Sequence, residues 1–186
     1  MGLAGTRTNR ARAILLAVVL MLPGLQLNAA AETTDSREGL VDKERCLLAA
    51  SLKAVYERPS AVKERGPFLV MSVKGQPQAY VQCMFADNRK KLYCEASSGD
   101  YTERESKPCM SCLSQESVAA LGRLGFAIET GGKNYPYKRD LNGTPDFDAI
   151  ATLMLSALHD AYGVREGTTL DTYAPFEGSI IVVCRM

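Results

Sequence analysis

Six cysteines follow an apolar N-terminal segment, and this combination constrains the fold more than any other feature of the chain. Small exported domains often use disulfides to supplement a limited core, because thiols oxidise outside the cytoplasm. The cysteines are Cys46, Cys83, Cys94, Cys109, Cys112 and Cys184. If the N-terminal segment directs export, they predict a disulfide-stabilised domain.

The N-terminal segment has the three-part composition of a cleavable secretory signal. Residues 1–12 contain three arginines and no acidic residue, residues 13–22 form an apolar run, and Ala29-Ala30-Ala31 offers small residues for cleavage. The apolar run is too short for a bilayer, which takes about 20 residues. We therefore expect residues 1–31 to be removed and the mature protein to be periplasmic or secreted.

The expected mature chain is short and nearly neutral. Removing 31 of the 186 residues leaves 155; it also removes three of the 22 basic residues and none of the 21 acidic ones, so the net charge becomes −2. Such a chain suits one domain, and its charge gives no long-range attraction for nucleic acid or an anionic membrane. We expect residues 32–39 to be a flexible start and residues 40–186 to be a single domain without a stable membrane span.

Hydrophobic periodicity predicts an α+β fold with the element order α-βββ-α-ββ-α-β, in which three helices pack on a mainly antiparallel sheet. The first helix begins at Leu40 after candidate caps at 34–36, the second runs from about 113 to Gly125, and the third follows a cap at Thr144 and ends at Gly163. The six strand patterns cover 68–73, 79–86, 92–96, 126–130, 134–139 and 180–184.

The apolar positions of two helices indicate which faces meet the core. In the first helix they are Leu40, Leu47, Leu48, Leu52, Val55 and Tyr56. The third helix has the most regular stripe, formed by Ile150, Leu153, Met154, Ala157, Leu158, Ala161 and Tyr162. That stripe is wide enough to face a sheet, so we expect this helix to be core.

The second and third strands form a hairpin whose register brings two cysteines together. If Asn88-Arg89 is the tip, Cys83 lies directly opposite Cys94 on one face. Directly opposite Cβ atoms are about 4.5–5.5 Å apart, slightly wider than the disulfide optimum. The same alternation puts Val81 and Phe85 on the cysteine face, and Met84 and Tyr93 on the opposite one.

A Cys83–Cys94 bond would leave Cys109 to pair with Cys112, and Cys46 with Cys184. The pattern also leaves two other arrangements open. The hairpin cysteines could stay buried as free thiols, or either could bond to Cys109 or Cys112.

Cys109-Met110-Ser111-Cys112 also supports an alternative function in thiol-disulfide exchange, because it precedes a helix whose dipole favours a thiolate. The segment before it is polar, however, and the linking residues are not those of a thioredoxin-type motif. A four-thiolate zinc site with Cys83 and Cys94 is a second alternative. Ten residues separate that pair, unlike a zinc knuckle, so structural disulfides and no cofactor are the preferred interpretation.

The remaining polar residues give no complete catalytic set. His159 is the only histidine and lies beside the apolar stripe, so we interpret it as a boundary or surface residue. Asp140, Asp146 and Asp148 surround a helix start, where the helix dipole explains the latter two. The sequence therefore predicts a protein that acts by binding a partner and not by catalysis.

The element order resembles that of type III secretion chaperone-like folds and the related bacterial sensory-transduction regulators. The resemblance covers residues 40–163 and includes Leu124-Gly125-Phe126, Asn134-Tyr135 and Asp160-Ala161-Tyr162-Gly163. The classical members of that group are cytoplasmic, whereas residues 1–31 of this chain have the composition expected of an export signal. We interpret it as a small exported accessory protein of bacterial type, which binds a protein partner or a second copy of itself.

Overall fold

Three helices and a five-stranded antiparallel sheet make up the described part of the chain, which confirms the α+β class and the element order. The computed structural model describes residues 36–58, 67–99, 112–128, 134–175 and Cys184. The helices are α1 (Arg37–Glu57), α2 (Gln115–Arg123) and α3 (Phe147–Tyr162). The strands are β1 (Phe68–Val73), β2 (Gln76–Ala86), β3 (Lys91–Ala96), β4 (Tyr135–Asp140) and β5 (Leu170–Tyr173).

The strand order in the sheet is β4-β3-β2-β1-β5, and every neighbouring pair is antiparallel. The β2–β3 hairpin has the predicted register, with Cys83 opposite Cys94. Its turn is unusual because Asp87, Asn88 and Arg89 all have left-handed backbone angles, with φ of 51°, 53° and 66°. Asp and Asn tolerate this region better than other side chains, which helps to explain the residues at this tip.

Two strand assignments differ in detail from the sequence pattern. β5 lies in a region for which no strand was predicted, and the predicted strand at 180–184 lies outside the described residues except for Cys184, which is in no strand. Of the predicted strand at 126–130, residues 126–128 are described and are not a strand. Gly125 turns the chain (φ 92°), Phe126 is buried against Tyr137, and a single backbone bond of 2.7 Å joins the Ala127 N–H to the Pro136 carbonyl.

The helix ends also refine the sequence-based boundaries. α1 begins at Arg37, and the Ser36 hydroxyl caps it by accepting from the Gly39 N–H at 3.1 Å. Residues 37–39 are therefore helical and not part of a flexible start, while 32–35 lie outside the described residues. α3 is capped by Asp146 and not by Thr144, because the Asp146 carboxylate accepts from the Ala149 N–H at 2.9 Å.

The core lies between the helices and one face of the sheet. α1 and α3 pack against each other and against β1 and β2, and α2 packs on α3. The predicted stripe of α3 is largely buried, together with Leu155, whereas Leu153 is half-buried. The prediction for Leu47 was wrong: it is 51% exposed, because the buried face of α1 is centred on Leu48, Leu52 and Val55.

Two disulfides join described residues, and both are pairings that the sequence had suggested. Cys83–Cys94 links β2 to β3 within the core, where both residues are 0% exposed. Cys46–Cys184 links α1 to a point 138 residues further along the chain. Within the part of the chain that the structure describes, no helix is both long and apolar enough to cross a membrane.

Candidate functional site

The sheet has one face that none of the described helices covers. Burial alternates along β1, β2 and β3, so that every second side chain is buried against the helices and the intervening ones stay partly exposed. We call the second side of the sheet the open face. It is formed by Phe68, Val70, Ser72, Gln78, Tyr80, Gln82, Met84, Ala86, Lys91, Tyr93, Glu95, Pro136, Lys138, Asp140, Asp171 and Tyr173.

An apolar band crosses this open face, and we define it by Tyr93, Met84, Phe68 and Tyr173. The register places Tyr93 opposite Met84 and Met84 opposite Phe68. The rings of Phe68 and Tyr173 are 5.9 Å apart between centroids, and Tyr173 is 60% exposed. The band therefore extends over four neighbouring strands, or roughly 14 Å at the usual strand spacing.

Two hollows adjoin the band at the end of the sheet that carries the β2–β3 turn. The first has a volume of about 490 Å³ and an apolar floor of Met84, Ala86 and Tyr93. Its rim carries Lys91, Lys138, Arg139 and Asp140. On the open face, this hollow therefore combines an apolar floor with two lysines, Lys91 and Lys138, and the carboxylate of Asp140.

The second hollow has a volume of about 510 Å³ and lies on the other side of Met84. It is lined by the hairpin turn together with Arg58 and Pro67. Arg89 reaches from the turn toward α1, where its guanidinium lies 5.5 Å from the centre of the Tyr56 ring and bonds to the Arg58 carbonyl at 3.4 Å. These contacts hold the turn against the end of α1.

The charged residues around the two hollows belong to different faces of the sheet. Lys91, Lys138 and Asp140 lie on the open face, whereas Arg139 is opposite the buried Leu92 on the other face. The cations are Arg58, Arg89, Lys91, Lys138 and Arg139, and the carboxylates are Asp87 and Asp140. Asp87 pairs with Lys91 at 3.3 Å, and the Lys138 ammonium lies 5.8 Å from the centre of the Tyr93 ring.

A polar network centred on Glu95 fixes the side of the band that faces away from the hollows. The Glu95 carboxylate accepts hydrogen bonds from Gln82 Nε2 at 2.6 Å, Asn134 Nδ2 at 2.8 Å and the Tyr93 hydroxyl at 3.2 Å. Asn134 also donates to the Tyr80 hydroxyl at 2.8 Å. Because Tyr93 belongs to both the network and the band, the network holds its ring in place.

A tyrosine from α3 anchors the helix to the same end of the sheet as this network. The Tyr162 hydroxyl donates to the Ser97 carbonyl at 2.7 Å. Burial, reinforced by the neighbouring phenols of Tyr80 and Tyr135, raises the pKa of Tyr162 far above its ordinary value. The hydroxyl therefore keeps its proton and remains a donor.

The structure assigns different positions to the other polar residues that the sequence had singled out. His159 is 17% exposed on α3, where its Nδ1 contacts Asp160 at 2.7 Å and its Nε2 has no hydrogen-bond partner. Asp146 caps α3, and Asp148 lies in its first turn. Asp140 does not belong to that helix start, because it ends β4 and lines the first hollow.

The arrangement of the cysteines supports the interpretation that they form structural disulfides. The zinc alternative was wrong, because Cys83 and Cys94 are bonded to each other and cannot serve as thiolate ligands. Among the described residues no group of His, Cys, Asp and Glu is placed to hold a metal ion. Cys112 is exposed ahead of α2 and is disulfide-bonded, while Cys109, its predicted partner, lies outside the described residues.

Comparison with known proteins identifies the family. The model of the family described as TY-Chap3, T3SS (YopN, CesT) and YbjN peptide-binding chaperone 3, matches residues 48–175. The chain belongs to this family. The match covers the whole open face and confirms the resemblance to type III secretion chaperone-like folds. No curated protein and no solved structure matches the chain.

The open face was not predicted from the sequence, although a signal for it was present. The alternation in the hairpin already placed Met84 and Tyr93 together on the side opposite the cysteines. The length and alternation of β1 place Phe68 on the same side once its partner is known. The solvent-exposed face of an antiparallel sheet usually carries polar side chains. Three large apolar side chains on the face opposite the core are therefore unusual for a surface that contacts only water.

Proposed function

We propose that the protein is an exported chaperone-like protein that binds an extended segment of another protein across its open face. The observation that carries this proposal is the apolar band, which stays partly exposed on a folded domain. Apolar surface of this kind, bordered by polar residues, is typical of protein interaction sites. The peptide-binding description of the family supports the same interpretation.

The dimensions of the band suit a short peptide. Its four side chains extend over roughly 14 Å, which an extended chain covers in about four or five residues. Met84 lies near the middle, adjoins both hollows and has no charged atom of its own. A partner side chain seated beside Met84 would therefore be the central anchor of the interface.

A substitution at Met84 tests this assignment. We expect Met84→Glu to weaken peptide binding at least about tenfold, because losing a central anchor typically costs more than about 1.4 kcal/mol. Binding is measured by fluorescence anisotropy with peptides of about 12 residues, which are first selected on an array that varies apolar and charged content.

Leu47→Glu is the matched control, since Leu47 is also a partly exposed apolar residue but lies on α1, away from the open face. Both variants are first compared with the parent protein by thermal unfolding. Leu47→Glu should bind within about twofold of the parent, which is a change of only a few tenths of a kcal/mol. Unchanged binding by a folded Met84→Glu variant would remove the open face from consideration.

Export is the second part of the proposal. The composition of residues 1–31 supports it, and so does a disulfide within the core, because such bonds persist in oxidising compartments. We therefore place the protein in the periplasm or outside the cell. There it would bind segments of other exported proteins.

The export proposal predicts a defined mature terminus. We expect the native protein to begin at Glu32, since signal cleavage follows small residues such as those at 29–31. Intact-mass spectrometry of protein from a fractionated bacterial host measures this directly. Recovery of a chain that retains residues 1–31 would contradict it, whereas a cut displaced by one or two residues would still support export.

A further inference from the structure

We infer that Met84 is an oxidation site, at which conversion of the thioether to a sulfoxide by a peroxide releases the bound partner. The inference rests on the proposed function and adds a form of regulation to the same site. It follows from the position of one methionine, which combines access to solvent with a place near the middle of the apolar band.

The described methionines differ in their access to solvent. The chain has seven methionines, and three of them lie in the part that the structure describes: Met71, Met84 and Met154. Met71 is 4% exposed and Met154 is 0% exposed, and both belong to the core. Of these three, only Met84 faces away from the core and stays partly exposed. A peroxide dissolved in water therefore reaches the side chain of Met84 before those of the other two.

The chemistry of the step needs only the thioether and a peroxide. The sulfur attacks one oxygen of hydrogen peroxide, an S–O bond forms, the O–O bond breaks, and the second oxygen leaves with both protons as water. The sulfur loses two electrons and the peroxide gains them. The five described cysteines are all disulfide-bonded, so none of them offers a competing thiolate.

The register determines what the new oxygen does to binding. Met84 lies directly opposite Tyr93 on β3 and Phe68 on β1, and it adjoins both hollows. In the free protein the side chain is partly exposed, so water can hydrogen-bond to the sulfoxide oxygen and the fold tolerates it. An apolar partner side chain that covers Met84 displaces this water and leaves the oxygen without hydrogen bonds. Oxidation therefore opposes binding without opposing folding.

Mild peroxide treatment followed by peptide mapping tests the access of the oxidant. The purified protein is exposed to hydrogen peroxide for increasing times, and the gain of one oxygen atom at each methionine is followed by mass spectrometry. We expect Met84 to be oxidised at least about tenfold faster than Met71 and Met154, because the close-packed core excludes the oxidant. Comparable rates at the three positions would overturn the inference.

Peptide binding before and after oxidation tests the effect on function. The probe is the array-selected peptide that binds most tightly, chosen without methionine and added after the peroxide has been removed. We expect oxidation of Met84 to weaken binding at least about tenfold, which corresponds to about 1.4 kcal/mol. The thermal unfolding curve of the oxidised protein should stay unchanged.

Two variants separate Met84 from the methionines outside the described residues. Met84→Leu removes the sulfur and keeps a side chain of similar volume, so its affinity, whatever its value, should not change on treatment with peroxide. Met110→Leu/Met186→Leu is the matched control, because it makes the same exchange at two methionines outside the described residues. The control should lose affinity as the parent does. A Met84→Leu variant that loses as much affinity as the parent would assign the effect to another residue.

The outcomes separate this inference from the function on which it rests. A parent protein that binds its peptide equally well after complete oxidation of Met84 would overturn the inference and leave peptide binding intact. A parent protein that binds no peptide before treatment would overturn the proposed function, and the regulation of binding with it.

Discussion

Replacing both Cys46 and Cys184 by serine is expected to lower the free energy of unfolding by about 3–5 kcal/mol. The bond closes a loop with a sequence separation of 138 residues, and the entropy that a disulfide removes from the unfolded chain grows with loop length. Cys46 is half-buried and Cys184 exposed, so the substitutions themselves disturb little of the core. Equilibrium urea unfolding of the parent and the double variant measures the difference.

A reductant provides the internal control for this experiment. Under reducing conditions the parent loses the same bond, so the difference between the two proteins should largely disappear. The remaining disulfides open in both proteins alike and cancel in the comparison. A double variant as stable as the parent under oxidising conditions would show that the unfolded chain gains little freedom when the bond is absent.

Leu158→Ala is expected to destabilise the protein by about 2–5 kcal/mol. Leu158 is 0% exposed in the C-terminal half of α3, the helix that contacts α1, α2 and the sheet. Truncation removes buried methyl groups and leaves a cavity, which neighbours on three sides cannot easily close. The change is measured by urea or thermal unfolding.

Leu153→Ala is the matched control, because it makes the same truncation on the same helix at a half-buried position. We expect it to cost clearly less than Leu158→Ala, since fewer of its methyl groups leave water on folding. Equal losses of unfolding free energy at the two positions would mean that solvent exposure does not reflect how tightly each side chain of α3 is packed. A loss well below about 1 kcal/mol at Leu158 would remove the helix from the core.

The most predictable parts of the fold were those in which local pattern and tertiary packing agree. α3 is long and periodic, and Gly163 ends it in the left-handed conformation that a terminal glycine favours. The hairpin register followed from counting residues around one turn. The turn also determined that Cys83 lies opposite Cys94, whereas the bond between them was one of three arrangements that the sequence left open.

The parts that were missed depend on partners distant in sequence. β5 contains Leu170 followed by three exposed residues, so it shows no alternation and is a strand only because it pairs with β1. Leu47 fits the apolar face of α1 by spacing, yet the approach of α3 determines which side of α1 is buried. Threonine and aspartate are both common N-cap residues, so residue type does not distinguish Thr144 from Asp146. The path of the chain after β4 determines that Asp146 caps α3.

The candidate site was hidden for a related reason. The alternation of the hairpin indicated that Met84 and Tyr93 share a face, but it did not indicate whether a helix would cover that face. α1 and α3 both pack on the other face of the sheet, and this arrangement is visible only in the assembled fold. The position of Lys138 is still less local, because it reaches Tyr93 through the pairing of β4 with β3, and α2 lies between these two strands in the sequence.

The Cys46–Cys184 bond also changes the topology of the molecule, because it converts almost the whole folded domain into a covalent ring. A protease that cuts one peptide bond between these two positions would open the ring without releasing a fragment. The two halves would stay joined until the disulfide is reduced, so a nicked copy could keep its sheet and its open face. If the chain is exported through a membrane, the ring can close only after Cys184 has crossed, so closure would report that the whole segment between the two cysteines has been translocated.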